Sequence, residues 1–269
     1  MYRVPNKRTT CIAALVLQLS VMAPVAAQDG WDALPPPGHI EAWTGVIVRG
    51  SNWSGYTGAT ISPFAGITDE GLRLRVVTGY GGYSYDRTAS VPVTTTGKGH
   101  ETTDVREVTM TYDAEYSFAD VLIGYQFQTG PLTTKVFVGP STTFYTMTPR
   151  DMDFMERSEY GVKGALEFWY NATDQIFLKA DVAGGYYLDN DKTFATVDVN
   201  TAAGYRLGSD WQLGVEAALT SKRRYLTLSG GLFTRYLWTE DQSTRLSGGF
   251  THDDYGGDVY VHGSHFFRY

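Results

Sequence analysis

Gln175-Ile176-Phe177-Leu178-Lys179-Ala180-Asp181-Val182-Ala183-Gly184-Gly185-Tyr186-Tyr187-Leu188 decides the fold. Ile176, Leu178, Ala180, Val182, Gly184 and Tyr186 share one parity, while Lys179, Asp181, Ala183 and Gly185 share the other. A period of two with apolar and small residues on one side describes a β-strand, whose successive side chains leave opposite faces. The same alternation sets Trp211, Leu213, Val215, Ala217 and Leu219 against Gln212, Gly214, Glu216 and Thr220. Leu72, Leu74, Val76 and Tyr80 oppose Arg73, Arg75 and Gly79. Ala195, Val197, Val199, Ala203 and Tyr205 oppose Thr196, Asp198, Asn200 and Arg206, and Leu226, Leu228, Leu232 and Tyr236 oppose Thr227, Ser229 and Arg235.

Breaking the chain at its turn residues gives about twelve such segments: 41–50, 57–65, 71–85, 109–127, 132–146, 159–170, 175–188, 193–206, 211–221, 224–238, 243–252 and 257–269. Short connections at Gly66–Glu70, Gln128–Pro131, Asn171–Asp174, Leu207–Asp210 and Thr239–Gln242 are expected at one end. Longer ones at Asp86–Val108 and Met147–Ser158 are expected at the other. Aromatics flank the short turns: Phe64, Tyr125, Phe127, Phe168, Trp169, Tyr170, Tyr205, Trp211, Tyr236 and Trp238. A soluble sandwich has no use for rings gathered at one end, whereas a membrane barrel seats them at the headgroup level. The last strand closes on Val261, Gly263, His265, Phe267 and Tyr269, the alternating aromatic ending common in barrel proteins. The reading is an all-β fold: a transmembrane antiparallel up-and-down β-barrel of about twelve strands, with both termini on the periplasmic side. Closure removes the unpaired edges that hydrocarbon would not tolerate.

The N-terminus supports export. Arg3, Lys7 and Arg8 precede an apolar run from Cys11 to Val21, then the small residues Val25-Ala26-Ala27. That series reads as a secretory signal peptide over residues 1–27, directing the chain through the Sec route to the bacterial outer membrane. A Pro-rich linker, 28–40, leads into the barrel over 41–269. Cleavage would remove three basic residues and Cys11, the one cysteine of the chain, shifting the formal net charge from −7 to −10. An acidic, cysteine-free exported chain excludes disulfides and thiolate metal centres, and it argues against nucleic acid as a partner. Nothing after residue 27 is apolar for long enough to cross a membrane as a helix.

Charges on the polar parity cannot face lipid, where a central cation costs about 2–4 kcal/mol. Arg73, Arg75, Lys135, Lys163, Glu167, Lys179, Asp181, Asp198, Arg206, Glu216, Arg235 and Arg268 are therefore expected to face the lumen. Their mixed signs suit either a polar passage or a lumen filled by ion pairs. Tyr83, Tyr85, Tyr187 and Phe233 are candidates for the lumen or its outer mouth, where sugar rings stack on aromatic faces. His262 and Ser264 share a face and invite a hydrolase reading, but no oxyanion donor or orienting carboxylate accompanies them. The acidic groups Asp151, Asp153, Glu156 and Glu159, and Asp253, Asp254 and Asp258, read as solvated loops before calcium sites. Gly81-Gly82, Gly184-Gly185, Gly230-Gly231 and Gly248-Gly249 lack the strand–helix context of a phosphate loop. No catalytic, cofactor or metal residue is assigned.

The stretches Gly66-Ile67-Thr68-Asp69-Glu70-Gly71-Leu72-Arg73-Leu74-Arg75 and Gly79-Tyr80-Gly81-Gly82-Tyr83-Ser84-Tyr85 carry a family likeness. With Asp120-Val121-Leu122-Ile123-Gly124-Tyr125-Gln126 and Thr134-Lys135-Val136-Phe137-Val138-Gly139, the chain resembles the bacterial cellulose biosynthesis protein BcsS family over residues 41 to 269. The resemblance implies an outer-membrane location among lipid, and association with cellulose or with components of a cellulose synthase system. It supplies no catalytic residues. The expected function is a non-enzymatic barrel accessory to cellulose secretion, as export conduit or scaffold. A general porin-like or structural barrel is the alternative, and a barrel hydrolase the third.

Overall fold

Each edge strand of an open sheet in lipid would leave a row of N–H and C=O groups with no partner, each costing several kcal/mol. The sheet here has no such row along its barrel. The computed structural model describes residues 38–97, 100–149, 157–189, 192–223, 225–254 and 256–269. The signal peptide and nearly all of the linker lie outside these residues. Among them run twelve strands: β1 (Ile40–Arg49), β2 (Asn52–Ile61), β3 (Gly71–Gly97), β4 (His100–Thr129), β5 (Leu132–Thr148) and β6 (Arg157–Asn171), then β7 (Ile176–Asp189), β8 (Lys192–Leu207), β9 (Trp211–Lys222), β10 (Tyr225–Thr239), β11 (Gln242–Asp253) and β12 (Gly256–Arg268). Each pairs antiparallel with its sequence neighbours, and β1 closes the barrel on β12, with Gly45 opposite both Tyr56 and Ser264. The up-and-down barrel expected from the alternation is the fold.

Register carries one parity inward and the other outward on every strand. On β7, Phe177 and Tyr187 are buried while Ile176, Leu178, Tyr186 and Leu188 are exposed. Tyr125, Phe127, Tyr170, Tyr205, Trp211, Trp238 and Tyr269 stand exposed near the terminal end, where β1 begins and β12 ends. Neighbours among these rings touch: Tyr125–Phe127 at 4.8 Å, Trp211–Tyr236 at 4.9 Å and Tyr236–Trp238 at 4.7 Å between centroids. A second ring of aromatics at the far end holds Trp53 against Tyr80 and Phe144 against Tyr160. Tyr160 and Tyr170 lie ten positions apart on β6. At ~3.3 Å per residue and a tilt of ~40°, that is about 25 Å along the axis, the height of a lipid-facing band. Among the described residues, no Asp, Glu, Lys or Arg takes an outward position between the two rings.

Four features depart from the sequence reading. Asp86–Val108 is not a loop: β3 and β4 stay paired from Tyr85↔Tyr112 to Gly97↔His100, beyond the last partners on β2 and β5, as a two-stranded ribbon. β-branched residues fill this segment, which favours extension. β2 begins at Asn52, because Gly50 at φ +50° makes a tight turn directly after β1. Asn52, Ser54 and Gly55 have turn composition but are paired. The far end thus carries a tight turn at 50–51, and the longest described connection, 62–70, lies at the terminal end. Finally, Trp169 leaves the aromatic ring and turns inward, stacking on Phe177 at 4.7 Å and 8°. It has the parity of Glu167 and not of Phe168.

Candidate functional site in the barrel interior

Inward side chains on a barrel this narrow meet partners several strands away. Lys135 on β5 reaches Glu41 on β1 at 2.5 Å, across three intervening strands. Arg75 on β3 meets Glu167 on β6 through two hydrogen bonds, one to each carboxylate oxygen. Its Nε donates to Thr60 Oγ1 at 3.0 Å, and its guanidinium lies 3.7 Å from the Phe137 ring centre and 5.2 Å from that of Trp43. Each of the three nitrogens of this cation thus has an acceptor, as a buried charge requires.

Next to this pair the 62–70 connection is tied to the barrel interior at the terminal end. Arg73 is fully buried and donates to Ser62 Oγ and to the carbonyls of Leu72, Gly66, Ile67 and Asp69. Gln126 Nε2 donates to the carbonyls of Thr68 and Asp69, both at 3.0 Å. Two inward-facing side chains therefore hold the 62–70 connection over the interior, and its own Ile67 is buried. Phe177, Phe233, Gln212 and Ser243, from four further strands, are equally buried at this level. Arg206 donates to Asn171 Oδ1 and the Asp174 carbonyl, both at 2.7 Å, and lies 5.6 Å from the Phe177 ring centre. Arg235 sits over Trp169 at 5.8 Å, and Arg268 lies 4.0 Å from Asp241. Glycines make room for the rings: a Cβ on Gly204 would stand 2.3 Å from Phe177.

In the middle, Lys163 meets Asp120 at 2.7 Å, and Ser141 joins Asp120 to the Tyr187 hydroxyl at 2.6 and 3.0 Å. Lys179 meets Asp181 at 2.5 Å. Glu216 accepts from Arg245 and, at 2.7 Å, from the Tyr260 hydroxyl. Asp198 shares the interior parity of β8, opposite Ala183 and Thr220. At the far end Lys222 on β9 spans to Glu159 at 2.7 Å and the Tyr145 hydroxyl at 2.5 Å, while Arg223 meets Glu159 and Asp189. Tyr83, Tyr85 and Tyr112 stack in sequence on the inner face of the ribbon, at 6.1 and 5.4 Å. Tyr187 and Phe233 are interior packing residues, 8% and 4% exposed.

Glu41, Asp120, Lys222, Arg223 and Arg245 complete these pairs and were not assigned to the lumen by the sequence reading, while Glu159, read there as part of a solvated acidic loop, lies instead on β6, 3% exposed and paired with Lys222 and Arg223. Asp120 and Arg245 have the correct parity and were legible. Glu41 and Lys222 lie at strand ends, where parity is weakest, and Arg223 lies in a turn. His262 and Ser264 do share the interior face. His262 Nε2 is engaged by the Tyr56 hydroxyl at 2.8 Å, and no hydrogen bond joins it to Ser264 among the described residues. His265 points outward to Thr244 Oγ1 at 2.7 Å. Asp151, Asp153 and Glu156 lie outside the described residues.

Such an interior is that of an outer-membrane type of barrel, and the family is decided by sequence. The model of the family described as cellulose biosynthesis protein BcsS matches residues 42–266, nearly the whole barrel. The chain belongs to the BcsS family. Membership makes it a cellulose-biosynthesis-associated barrel protein. No curated protein matches the sequence. Among solved structures, the BcsS barrel resembles the transport unit of the autotransporter AIDA-I from Escherichia coli, at 10% identity and TM-score 0.50, covering 100% of this chain and 99% of that one. The KdgM porin aligns at 10% identity and TM-score 0.46 over 85% and 99% of the two chains. The translocator domain of NalP from Neisseria meningitidis aligns at 10% identity and TM-score 0.46 over 97% and 98%. Identities this low speak for the fold alone.

Proposed function

We propose that this BcsS-family barrel is a non-enzymatic scaffold for cellulose secretion in the outer membrane, closed to the passage of a glucan chain. Residues 1–27 act as its Sec export signal, the terminal end faces the periplasm, and its partners are outer-membrane lipid and components of the cellulose synthase system. The observation that carries the reading is the set of interior links spanning the lumen. Lys135–Glu41 and Arg75–Glu167 cross one half, and Lys222–Glu159 crosses the other. A polysaccharide threading the barrel would have to break these pairs and lift the 62–70 connection off Arg73 and Gln126. Large aqueous channels belong to barrels of ~16 strands, whose diameter grows with strand number.

Planar-bilayer recordings on the purified chain test closure. The expected trace shows only brief, small openings; a large steady conductance blocked by cello-oligosaccharides would establish a conduit instead. Deletion of the gene is expected to lower secreted cellulose, and restoration by an Arg75→Lys chain tests the scaffold role without an open lumen. Undiminished cellulose secretion after deletion would defeat the proposed role in either form.

A further inference from the structure

The interior is filled at the terminal end but not throughout. A recess of about 290 Å³ lies inside the wall formed by β1, β2 and β7 to β12. Its size is near the lower end of the ~300–1,000 Å³ of small-molecule sites. Arg49, Tyr56, Asp181, Glu216, Arg245 and Tyr260 line it. Three of these carry buried polar atoms without a protein partner: Asp181 Oδ1, Arg49 Nε and Arg245 Nε. A buried polar atom left so is costly and asks for an occupant.

The atoms say what kind. One is an acceptor and two are donors, so the occupant must offer both functions within a short span, as vicinal hydroxyls do. Four of the five charges that line it are matched in pairs, Lys179 with Asp181 and Arg245 with Glu216, which leaves Arg49, so an anion gains one contact and a neutral ligand meets the rest. The Tyr56 and Tyr260 rings supply apolar surface, and their hydroxyls are already committed to His262 and Glu216. Pyranoses combine hydroxyl edges with apolar C–H faces in this way. The buried layer at Phe177, Phe233 and Gln212 lies toward the terminal end, so a ligand is held and not passed on.

We propose that this recess is a binding site for a short neutral saccharide. The choice of a β-1,4-linked glucose unit over other neutral sugars rests on the role in cellulose secretion proposed above.

The test titrates the full chain, folded in a sugar-free detergent, with cellobiose, maltose and digalacturonate by calorimetry. Saturable binding of cellobiose is expected, weakened at least ten-fold by Asp181→Asn and abolished by Ala218→Phe, which fills the recess from β9. The electrophoretic shift between heated and unheated samples checks that each variant is folded, and Ala218→Phe decides if Asp181→Asn does not fold. Cellobiose and maltose binding equally, with both variants impaired, supports the site and removes only the link to cellulose. No disaccharide bound, digalacturonate preferred, or binding unchanged in the folded variants overturns the proposal.

Discussion

Arg75 shows what an interior charge in this barrel requires. Moving a guanidinium out of water costs several kcal/mol, and it is tolerated only when a carboxylate and further acceptors surround it. Glu167 supplies two oxygens, Thr60 one more, and Phe137 and Trp43 flank the plane. Arg75→Ala is therefore expected to destabilise the barrel by on the order of 3 kcal/mol, most of it from Glu167 left without its partner. Arg75→Ala with Glu167→Ala should cost less than the two single changes combined. Urea unfolding in detergent reads both, and simple additivity of the two changes would deny the coupling. Parity along β3 and β6 makes each residue legible as interior. That they meet is not legible, because 92 positions separate them and only the curvature of the wall brings β3 to face β6.

At the scale of the element, β8 and β9 show how sharply alternation is enforced. Val215 is outward and 55% exposed in the apolar band, and Asn200 is inward beside the recess. Val215→Arg is expected to cost about 2–4 kcal/mol, as a cation near the bilayer midplane does. Asn200→Arg, equally large, should cost well under half of that. Measured unfolding free energies in lipid vesicles decide it, and equal costs for the two would mean that the faces are misassigned. The ribbon of β3 and β4 marks the limit of reading elements singly. Thr88, Val91 and Val93 allow extension, yet a segment without alternation reads as loop until its cross-strand partners, Thr109, Arg106 and Asp104, are in place. Trp169 failed for the opposite reason: its neighbours Phe168 and Tyr170 marked the membrane boundary, while its own parity assigned it to the stack on Phe177.

For the molecule as a whole, the proposed closure of the lumen would be a collective property of many pairs. Lys135→Ala together with Lys222→Ala removes one cross-lumen link in each half. The double variant is expected to raise single-channel conductance several-fold over the parent, with each single change giving less. A conductance indistinguishable from the parent in a folded double variant would place the barrier elsewhere, in the 62–70 connection. The sequence by itself determined the all-β class, the twelve strands, the apolar band, the aromatic ring at the terminal end and the family, since each follows from a local period or a contiguous motif. Only the tertiary structure decided which charges pair, that 62–70 folds across the terminal mouth, and that a recess survives in the middle. Those depend on distances across the lumen, which are set by strand number and curvature and leave no mark in the order of neighbouring residues.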